Sequence, residues 1–268
     1  MLLQIAAKKK QRVIAAKCRL PLEQLKESLT AAGSPGKFRA ALTAPGISVI
    51  AEIKRASPSK GDFGLRVPIT ELAGQYEAGG ASAISVLTEE DFFLGSQEDL
   101  TAVRQTVTLP VLRKDFVIDA YQLYETRALN ADAVLLIAGF LPEKQLAGYL
   151  EICEELGLAA LVETHNQEEI KLALRAGANI LGINNRDLRT FRTDINRTVR
   201  LAGLIPDDVV LVSESGIHTA EDIKMLTLAG ADAVLVGESL VKSADAAAKI
   251  REFSGRATGN DTSKNMRG

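Results

Sequence analysis

Short apolar runs recur along the chain, and each run follows a segment with helical spacing. That segment ends near a Gly or an Asn, residue types that favour the left-handed conformation at a helix C-terminus. The run itself is apolar and often β-branched, which is typical of a buried strand. Five copies of this helix-to-strand unit are visible: "GGASAISVL" from Gly79, "LNADAVLLI" from Leu129, "LGLAALVE" from Leu156, "AGANILGIN" from Ala176 and "AGADAVLVG" from Ala229.

Three further segments contain an apolar run but lack the helix end with Gly or Asn before it: "ISVIAEIK" from Ile47, "LPVLRKDF" from Leu109 and "DVVLVSESG" from Asp208. Eight apolar runs that alternate with helical segments are typical of parallel strands covered by helices. The pattern predicts an α/β fold, a closed (β/α)8 TIM barrel. An open doubly wound sheet is the alternative. It is disfavoured because no G-x-G-x-x-G motif follows the first strand and the chain shows no break into halves.

Two segments lie outside the repeat. Residues 1–46 predict an N-terminal helical extension, with helices at about Leu3–Lys17 and Leu22–Ala32 and a loop rich in Pro and Gly. We expect this extension to cover the mouth of the barrel, which spans residues 47–253. Residues 254–268 are polar and Gly-rich without periodicity, which predicts a disordered tail.

Composition and charge exclude some classes of function. The 268 residues have a formal net charge of −2, which disfavours nucleic acid or an anionic membrane as a partner. No apolar run reaches the length of a bilayer span, and the N-terminus lacks the order of a secretory signal, so we expect a cytoplasmic protein. Cys18 and Cys153 have no His nearby, so we expect neither a metal site nor a cofactor. We expect a monomer, with a weak oligomer as the alternative.

Charged side chains accumulate where the predicted strands end. In this type of barrel the C-terminal strand ends form the active face, and side chains two positions apart on a strand share a face. Inward positions are normally apolar, so polar inward residues indicate acid–base chemistry. Sorted in this way, seven polar side chains point into one pocket: Glu52, Lys54, Lys114, Glu163, Asn184, Arg186 and Glu214.

The stretch "PVLRKDF" from Pro110 places three charged residues at the end of one strand. The alternation predicts that Lys114 faces the pocket while Arg113 and Asp115 point away as solvated or paired surface groups. We expect His165 and His218 at the periphery of the site.

Glycines follow the last two predicted strands, in "SESG" at Ser213–Gly216 and "VGES" at Val236–Ser239. Backbone N–H groups can approach an anion closely there, and the loops after strands seven and eight often hold phosphate in this fold. The pocket is therefore predicted to bind a sugar or polyol phosphate with an apolar or aromatic part. The Lys and Glu residues would process it by acid–base chemistry without a metal.

Six motifs occur in order along the chain: "VIAEIKRASPSKG", "LRKDF", "LVETH", "INNRDLRTF", "SESGI" and "VGESL". Together they closely resemble those of the indole-3-glycerol-phosphate synthase family, over roughly residues 1–253. The resemblance implies a carbon–carbon lyase of tryptophan biosynthesis. Its substrate would be 1-(2-carboxyphenylamino)-1-deoxyribulose 5-phosphate, which closes to an indole with loss of carbon dioxide and water.

The resemblance also implies roles for single residues. Lys114 would be the general acid at the ribulose carbonyl oxygen, and Glu163 a general acid or base assisted by Glu52. Lys54 would hold the anthranilate carboxylate or serve in the dehydration. Further implied contacts are Asn184, Arg186, Glu214 and Ser215 in the pocket wall, Ser57, Gly216, Gly237, Glu238 and Ser239 at the phosphate, and Phe93, Phe116 and Leu136 at the aromatic ring.

Three other functions are weighed against this one. A sister barrel such as phosphoribosylanthranilate isomerase would lack the N-terminal extension and the "EIKRASPSKG" stretch. A Schiff-base aldolase would also place a Lys on a barrel strand, but seldom beside this set of Glu residues. A non-catalytic phosphosugar-binding barrel would have no reason to keep Lys114 opposite Glu163.

Overall fold

A closed barrel of eight parallel strands forms the body of the protein. The computed structural model describes residues 2–29, 35–58, 60–65, 67–187 and 190–255. Each strand pairs in parallel with the next along the chain, and the eighth pairs with the first. The predicted TIM barrel is confirmed. Its strands are β1 Ser48–Ile53, β2 Ala83–Leu87, β3 Val111–Lys114, β4 Ala133–Ile137, β5 Ala159–Thr164, β6 Ile180–Asn184, β7 Val210–Glu214 and β8 Ala233–Val236.

Helices surround the barrel and precede it. They are α1 Leu2–Arg19, α2 Leu22–Glu27, α3 Pro35–Leu42, α4 Ile69–Ala78, α5 Gln97–Thr106, α6 Tyr121–Ala128, α7 Glu143–Leu156, α8 Gln167–Arg175, α9 Asn196–Leu201, α10 Ala220–Leu228, α11 Glu238–Val241 and α12 Ala246–Phe253. Short 3-10 turns lie at Ala138–Phe140 and Ala202–Leu204, and a small hairpin pairs Ala56–Ser57 with Gly61–Asp62. None of the helices in the described part of the chain has the length and hydrophobicity that crossing a bilayer requires.

Alternate residues of each strand face two different cores. In β1, Val49, Ala51 and Ile53 pack outward in the core between strands and helices, while Ile50 belongs to the inner core of the barrel. This period of two follows from the strand geometry. It places Glu52, two residues after Ile50, on the inner side near the C-terminal end of the strand.

The third helix closes the N-terminal end of the barrel. Phe38 and Leu42 are fully buried within the inner core. Ser48, the first residue of β1, donates its hydroxyl to the Ala41 carbonyl at 3.0 Å. Because α3 lies at the start of the strands, the expectation that the whole extension covers the mouth is wrong for this helix. The helical pattern of residues 1–46 did not indicate which end of the barrel each helix contacts.

The bounds of the extension also differ from the predicted ones. The structure has a third helix, α3, that the sequence did not predict, and α2 ends at Glu27 rather than at Ala32. Residues 30–34 lie outside the described residues. The predicted disordered tail is described only as far as Gly255, so that prediction stays untested.

The first helix lies beside the C-terminal mouth of the barrel. Lys9 is only 5% exposed, and its Nζ lies 2.6 Å from the Asp115 carboxylate just after β3. Arg12 Nε donates to Asp91 Oδ2 at 2.7 Å in the loop after β2. Buried ion pairs are costly to break because one charge is then left unpaired in a dry site. The Lys9–Asp115 pair therefore anchors α1 at this end.

We expect Leu42→Ala to lower the free energy of unfolding by about 2–5 kcal/mol, because it empties a fully buried position at the base of the barrel. Leu228→Ala is the matched control, since Leu228 is 80% exposed, and it should change stability by about 0.5 kcal/mol or less. Urea denaturation followed by circular dichroism measures both. Equal effects of the two variants would contradict the packing of α3 against the barrel.

Candidate active site

A cavity opens at the C-terminal ends of the strands and gathers most of the predicted site residues. Glu214 accepts a hydrogen bond from Lys114 of the cavity wall and is only 1% exposed. Ser239 donates its hydroxyl to the Ile217 carbonyl at 3.0 Å. The predicted residues that line the cavity are Glu52, Lys54, Ser57, Phe93, Lys114, Phe116, Glu163, Asn184, Arg186, Ser215, Gly216, Gly237 and Glu238.

Lys114, at the end of β3, lies at the centre of a charged cluster. Its Nζ donates to Glu214 Oε2 at 2.6 Å and lies 3.5 Å from Glu163 Oε2 and 3.9 Å from Glu52 Oε2. Burial opposes the charge on Lys114, but the three carboxylates outweigh burial and raise the pKa of this lysine. The side chain is therefore an ammonium ion at neutral pH, which can donate a proton.

Glu52 connects the two lysines of the site. Its Oε1 lies 2.6 Å from Lys54 Nζ, while its Oε2 faces Lys114. Burial acts to raise the pKa of Glu52, but the charges of Lys54 and Lys114 outweigh it and lower the pKa overall. One carboxylate thus contacts one lysine on each oxygen, which fixes the two ammonium groups relative to one another.

The pKa values of the two other carboxyl groups beside Lys114 are shifted in opposite directions. Burial and the neighbouring carboxylates raise the pKa of Glu214 to about 7, although Lys114 opposes this shift. Burial also acts on Glu163, but the charges of Lys114 and His165 overcome it and lower the pKa of Glu163 to about 2. Titratable groups with divergent pKa values are typical of acid–base sites. Glu163 fits the role of an ionised base, and Glu214 can hold a proton near neutral pH.

Gly182 on β6 makes room for the Glu214 side chain. A Cβ at this position would clash with Glu214 Oε1. That oxygen is buried and has no hydrogen-bond partner among the described residues. A neutral carboxyl group tolerates such an unpaired oxygen better than a carboxylate, since an unpaired buried charge costs more than an unpaired polar group.

Arg113 and Asp115 point away from the Lys114 cluster, as the alternation predicts. The expectation of surface groups is wrong, because α1 and α6 cover this strand end and both residues are only 2% exposed. Asp115 pairs with Lys9 at 2.6 Å, and Arg113 pairs with Glu125 at 2.8 Å. The three consecutive charges of "RKD" therefore serve two buried ion clusters on opposite faces of one strand.

Aromatic and aliphatic side chains form another wall of the cavity. The rings of Phe93 and Phe116 have centroids 6.1 Å apart. Leu135 and Ile137 of β4 line the cavity with them. The predicted contact from Leu136 is wrong, because this residue faces outward and packs in the core between the strands and the helices. On this strand the sequence assignment was out of phase by one residue, which moves a side chain to the opposite face.

Both histidines lie at the edge of the site, since His218 is exposed and His165 is not among the residues that line the cavity. His218 lines the cavity. His165 Nε2 lies 3.4 Å from Glu163 Oε1, and its Nδ1 lies 3.1 Å from Glu169 Oε2. The sequence already indicated the contact between His165 and Glu163, because His165 stands two positions after Glu163 and shares its face of the strand.

Sequence reasoning missed several apolar residues of the site besides Leu135 and Ile137. Ile5 of α1 and Phe191 in the loop after β6 both line the cavity. Phe191 has a φ of +58°, an unusual conformation for a large side chain. It closes the motif "INNRDLRTF", which was the only available signal. Ile5 lies more than forty residues before β1, so only the packing of α1 brings it to the mouth.

Four of the five residues predicted to bind phosphate line the same cavity, namely Ser57, Gly216, Gly237 and Glu238, whereas Ser239 does not. Ser57 Oγ is buried and has no hydrogen-bond partner among the residues that the structure describes. Gly216 has a φ of +80°, which favours glycine. A Cβ at Gly237 would clash with Glu52 Oε1 and lie 2.9 Å from Lys54 Nζ. Within the described ranges, no group of three His, Cys, Asp or Glu residues could hold a metal ion.

Nearly the whole described chain matches one known family. A family model for indole-3-glycerol phosphate synthase matches residues 2–253. The chain belongs to the indole-3-glycerol phosphate synthase family. This family consists of decarboxylating carbon–carbon lyases of tryptophan biosynthesis, which act on a phosphorylated small molecule.

The matches to relatives of this name also extend over most of each relative's length. The indole-3-glycerol phosphate synthase of Lachnoclostridium phytofermentans is 47% identical over 257 residues, which cover 91% of this chain and 95% of that relative. The one of Carboxydothermus hydrogenoformans is 51% identical over 228 residues, which cover 85% of this chain and 83% of that relative. The resemblance that the motifs indicated is therefore confirmed.

Solved structures with other names share the fold at low identity. The 3-hexulose-6-phosphate synthase of Salmonella typhimurium has a TM-score of 0.64 at 16% identity and covers 78% of this chain and 97% of that chain. The thiamine phosphate pyrophosphorylase of Pyrococcus furiosus has a TM-score of 0.58 at 19% identity and covers 79% of this chain and 95% of that chain. These likenesses support the barrel fold alone.

We expect stability to depend on pH through Glu214. Its pKa is about 7 in the folded chain against 4.5 for an unperturbed group, so the folded state holds this proton more tightly than the unfolded chain does. Its contribution to stability is therefore largest below pH 4.5 and is lost as pH rises through about 7. The free energy of unfolding of wild type, relative to that of Glu214→Gln, should therefore fall as pH rises from 4.5 to about 7.

Urea denaturation at a series of pH values measures this difference. The control is Glu221→Gln, since Glu221 is an exposed residue of α10. Its stability difference from wild type should stay flat over the same window. A flat difference for Glu214→Gln as well would show that the Glu214 carboxyl titrates normally.

Proposed function

We propose that the substrate of this chain is 1-(2-carboxyphenylamino)-1-deoxyribulose 5-phosphate and that the site closes it to indole-3-glycerol phosphate in the cytoplasm. The observation that supports this proposal most directly is the charged Lys114, held among three buried carboxylates at the cavity mouth. Ring closure at a ketone requires a proton donor at the carbonyl oxygen, and a positioned ammonium ion provides one. The family membership supports the same reaction.

The two ends of the cavity suit the two ends of this substrate. The unpaired hydroxyl of Ser57 and the close backbone approach at Gly216 and Gly237 suit a phosphate group. The rings of Phe93 and Phe116 offer an apolar surface for the anthranilate ring. The substrate then lies across the mouth, with its ketone near Lys114.

Ring closure follows from this placement. The ring carbon that carries the carboxylate attacks the ketone carbon, and Lys114 gives a proton to the ketone oxygen as it becomes a hydroxyl group. Carbon dioxide then leaves from the same ring carbon and its bonding electrons restore the aromatic ring. Lys54 provides positive charge for the carboxylate before it leaves. Glu214, 2.6 Å from Lys114, can return a proton to the lysine.

The dehydration needs a base and an acid on the new ring. Glu163 is ionised and removes a proton from the ring, while the hydroxyl group leaves as water with a proton from the reprotonated Lys114. Glu52 holds both lysines during these steps through its two oxygens. Asn184, Arg186, Ser215 and Glu238 line the cavity and complete the polar wall around the substrate.

The first helix is the part of the N-terminal extension that we propose as the cover of the mouth. Ile5 lines the cavity, and the Lys9–Asp115 pair holds the helix against the end of β3. A cover of this kind excludes water from the reacting groups. The proposal extends to α1 only, because α3 lies at the opposite end.

Lys114→Met should lower kcat by about 10²–10⁴-fold while KM changes only a few fold, because it removes the proton donor and leaves the ring and phosphate contacts. The increase in indole fluorescence from the candidate substrate measures both constants. Lys10→Met is the control, since Lys10 is an exposed residue of α1. Borohydride added during turnover should trap no adduct. A reduced adduct at Lys114 would refute the proton-donor role and favour a Schiff-base aldolase.

Gly237→Val should raise KM at least about tenfold and weaken inhibition by inorganic phosphate, because the new side chain crowds the backbone N–H groups proposed to bind phosphate. It should also lower kcat, because its Cβ clashes with Glu52 Oε1 beside Lys54. Gly74→Val is the matched control, since a Cβ there meets no other atom within 4 Å. Steady-state kinetics with added phosphate measures both variants. An unchanged KM in Gly237→Val would place the phosphate elsewhere.

A further inference from the structure

His165 lies between Glu163 and the start of helix α8. Its Nε2 is 3.4 Å from Glu163 Oε1, and its Nδ1 is 3.1 Å from Glu169 Oε2. The Nε2 contact has the distance of an ion pair but lacks hydrogen-bond alignment. The imidazole is only 14% exposed. A continuous chain of three titratable groups therefore runs from the surface helix to the cavity.

Glu169 is itself held in place by the turn that starts α8. Its Oε2 accepts the backbone N–H of His165 at 2.8 Å, and its Oε1 accepts the side-chain amide of Asn166 at 2.8 Å. Asn166 in turn caps the helix by accepting the Glu169 backbone N–H at 2.9 Å. The carboxylate has little freedom to rotate, so it can fix the imidazole through Nδ1.

The charges around His165 keep it protonated. Burial lowers its pKa, but the charges of Glu163 on β5 and Glu169 on α8, together with the Nδ1 hydrogen bond to Glu169, outweigh burial and raise the pKa to about 10. Lys114 on β3 lies beyond Glu163 and contacts its other oxygen. The Glu163 carboxylate therefore has a cation at each oxygen, His165 at Oε1 and Lys114 at Oε2.

We propose that His165, held by Glu169, is a positioning residue for the ring closure, because it fixes the Glu163 carboxylate at Oε1 and keeps it available as the base. Without His165, the carboxylate would keep Lys114 at Oε2 and the Asn184 side chain, but no cation would contact Oε1. Lys114 also changes its own charge during the reaction, whereas His165 keeps its charge throughout. The proposal rests on the proposed function, since it assigns Glu163 the role of proton acceptor.

His165→Gln should lower kcat about tenfold or more while KM changes less than about threefold, because the substrate contacts persist. It should also produce a new decline of kcat on the acid side. Wild-type Glu163 has a pKa of about 2 and stays ionised over the working range. Without the imidazolium, its pKa moves up towards the usual range, so the base is lost at a higher pH. Glu169→Gln should change kcat in the same direction by a smaller factor.

The matched control is Glu168→Gln. Glu168 is exposed and stands in the same first turn of α8, so its loss removes the same charge from the helix without touching His165. The kcat and pH profile of this variant should equal those of wild type. Circular dichroism and thermal unfolding check that each variant is folded. If His165→Gln is unfolded, the kcat, KM and pH profile of Glu169→Gln test the proposal instead.

A double-mutant cycle separates positioning from a structural role. If His165 acts through Glu163, His165→Gln should have no further effect on kcat in the Glu163→Gln background. An equal loss in both backgrounds would overturn the proposal, as would a wild-type kcat and pH profile in His165→Gln. These results leave the proposed function intact. Wild-type protein that forms no indole product would overturn the proposed function and this proposal with it.

Discussion

The charge on Lys114 is the constraint on which the rest of the site depends. An ammonium ion in a buried position is stable only when carboxylates compensate for the lost water, and here three of them lie within 4 Å. Each carboxylate comes from the C-terminal end of a different strand. The closed barrel provides this arrangement, because its strands hold their ends at fixed separations around one axis.

Excess negative charge around Lys114 has a chemical consequence. Three carboxylates cannot all be equally well neutralised by one ammonium ion, so the other cations decide which of them stays ionised. Lys54 also pairs with Glu52, and His165 also pairs with Glu163, so each of these carboxylates has a second cation beside it. Glu214 has no second cation among the described residues and is the carboxyl group that most readily holds a proton. One cluster thereby contains a charged acid, an ionised base and a proton reservoir.

The barrel is closed differently at its two ends. At the N-terminal end, Phe38 and Leu42 of α3 complete the inner core by apolar burial. At the mouth, α1 is attached by ion pairs to Asp115 and Asp91, with Ile5 reaching the cavity. Asp115 is adjacent to Lys114 in the chain, so the anchor of α1 and the proposed proton donor share one strand end.

The sequence by itself determined the eight strands, the barrel and the inward polar rows, because those depend on local periodicity and on the alternation of side chains along a strand. The family motifs identified the chemistry for the same reason, since each motif lies within one strand end or loop. Only the tertiary structure decided that α3 closes the base, that Leu136 faces outward, and that α1 and α6 bury Arg113 and Asp115. These outcomes depend on contacts between segments far apart in the chain, and no local pattern encodes which face or which end a distant helix will cover.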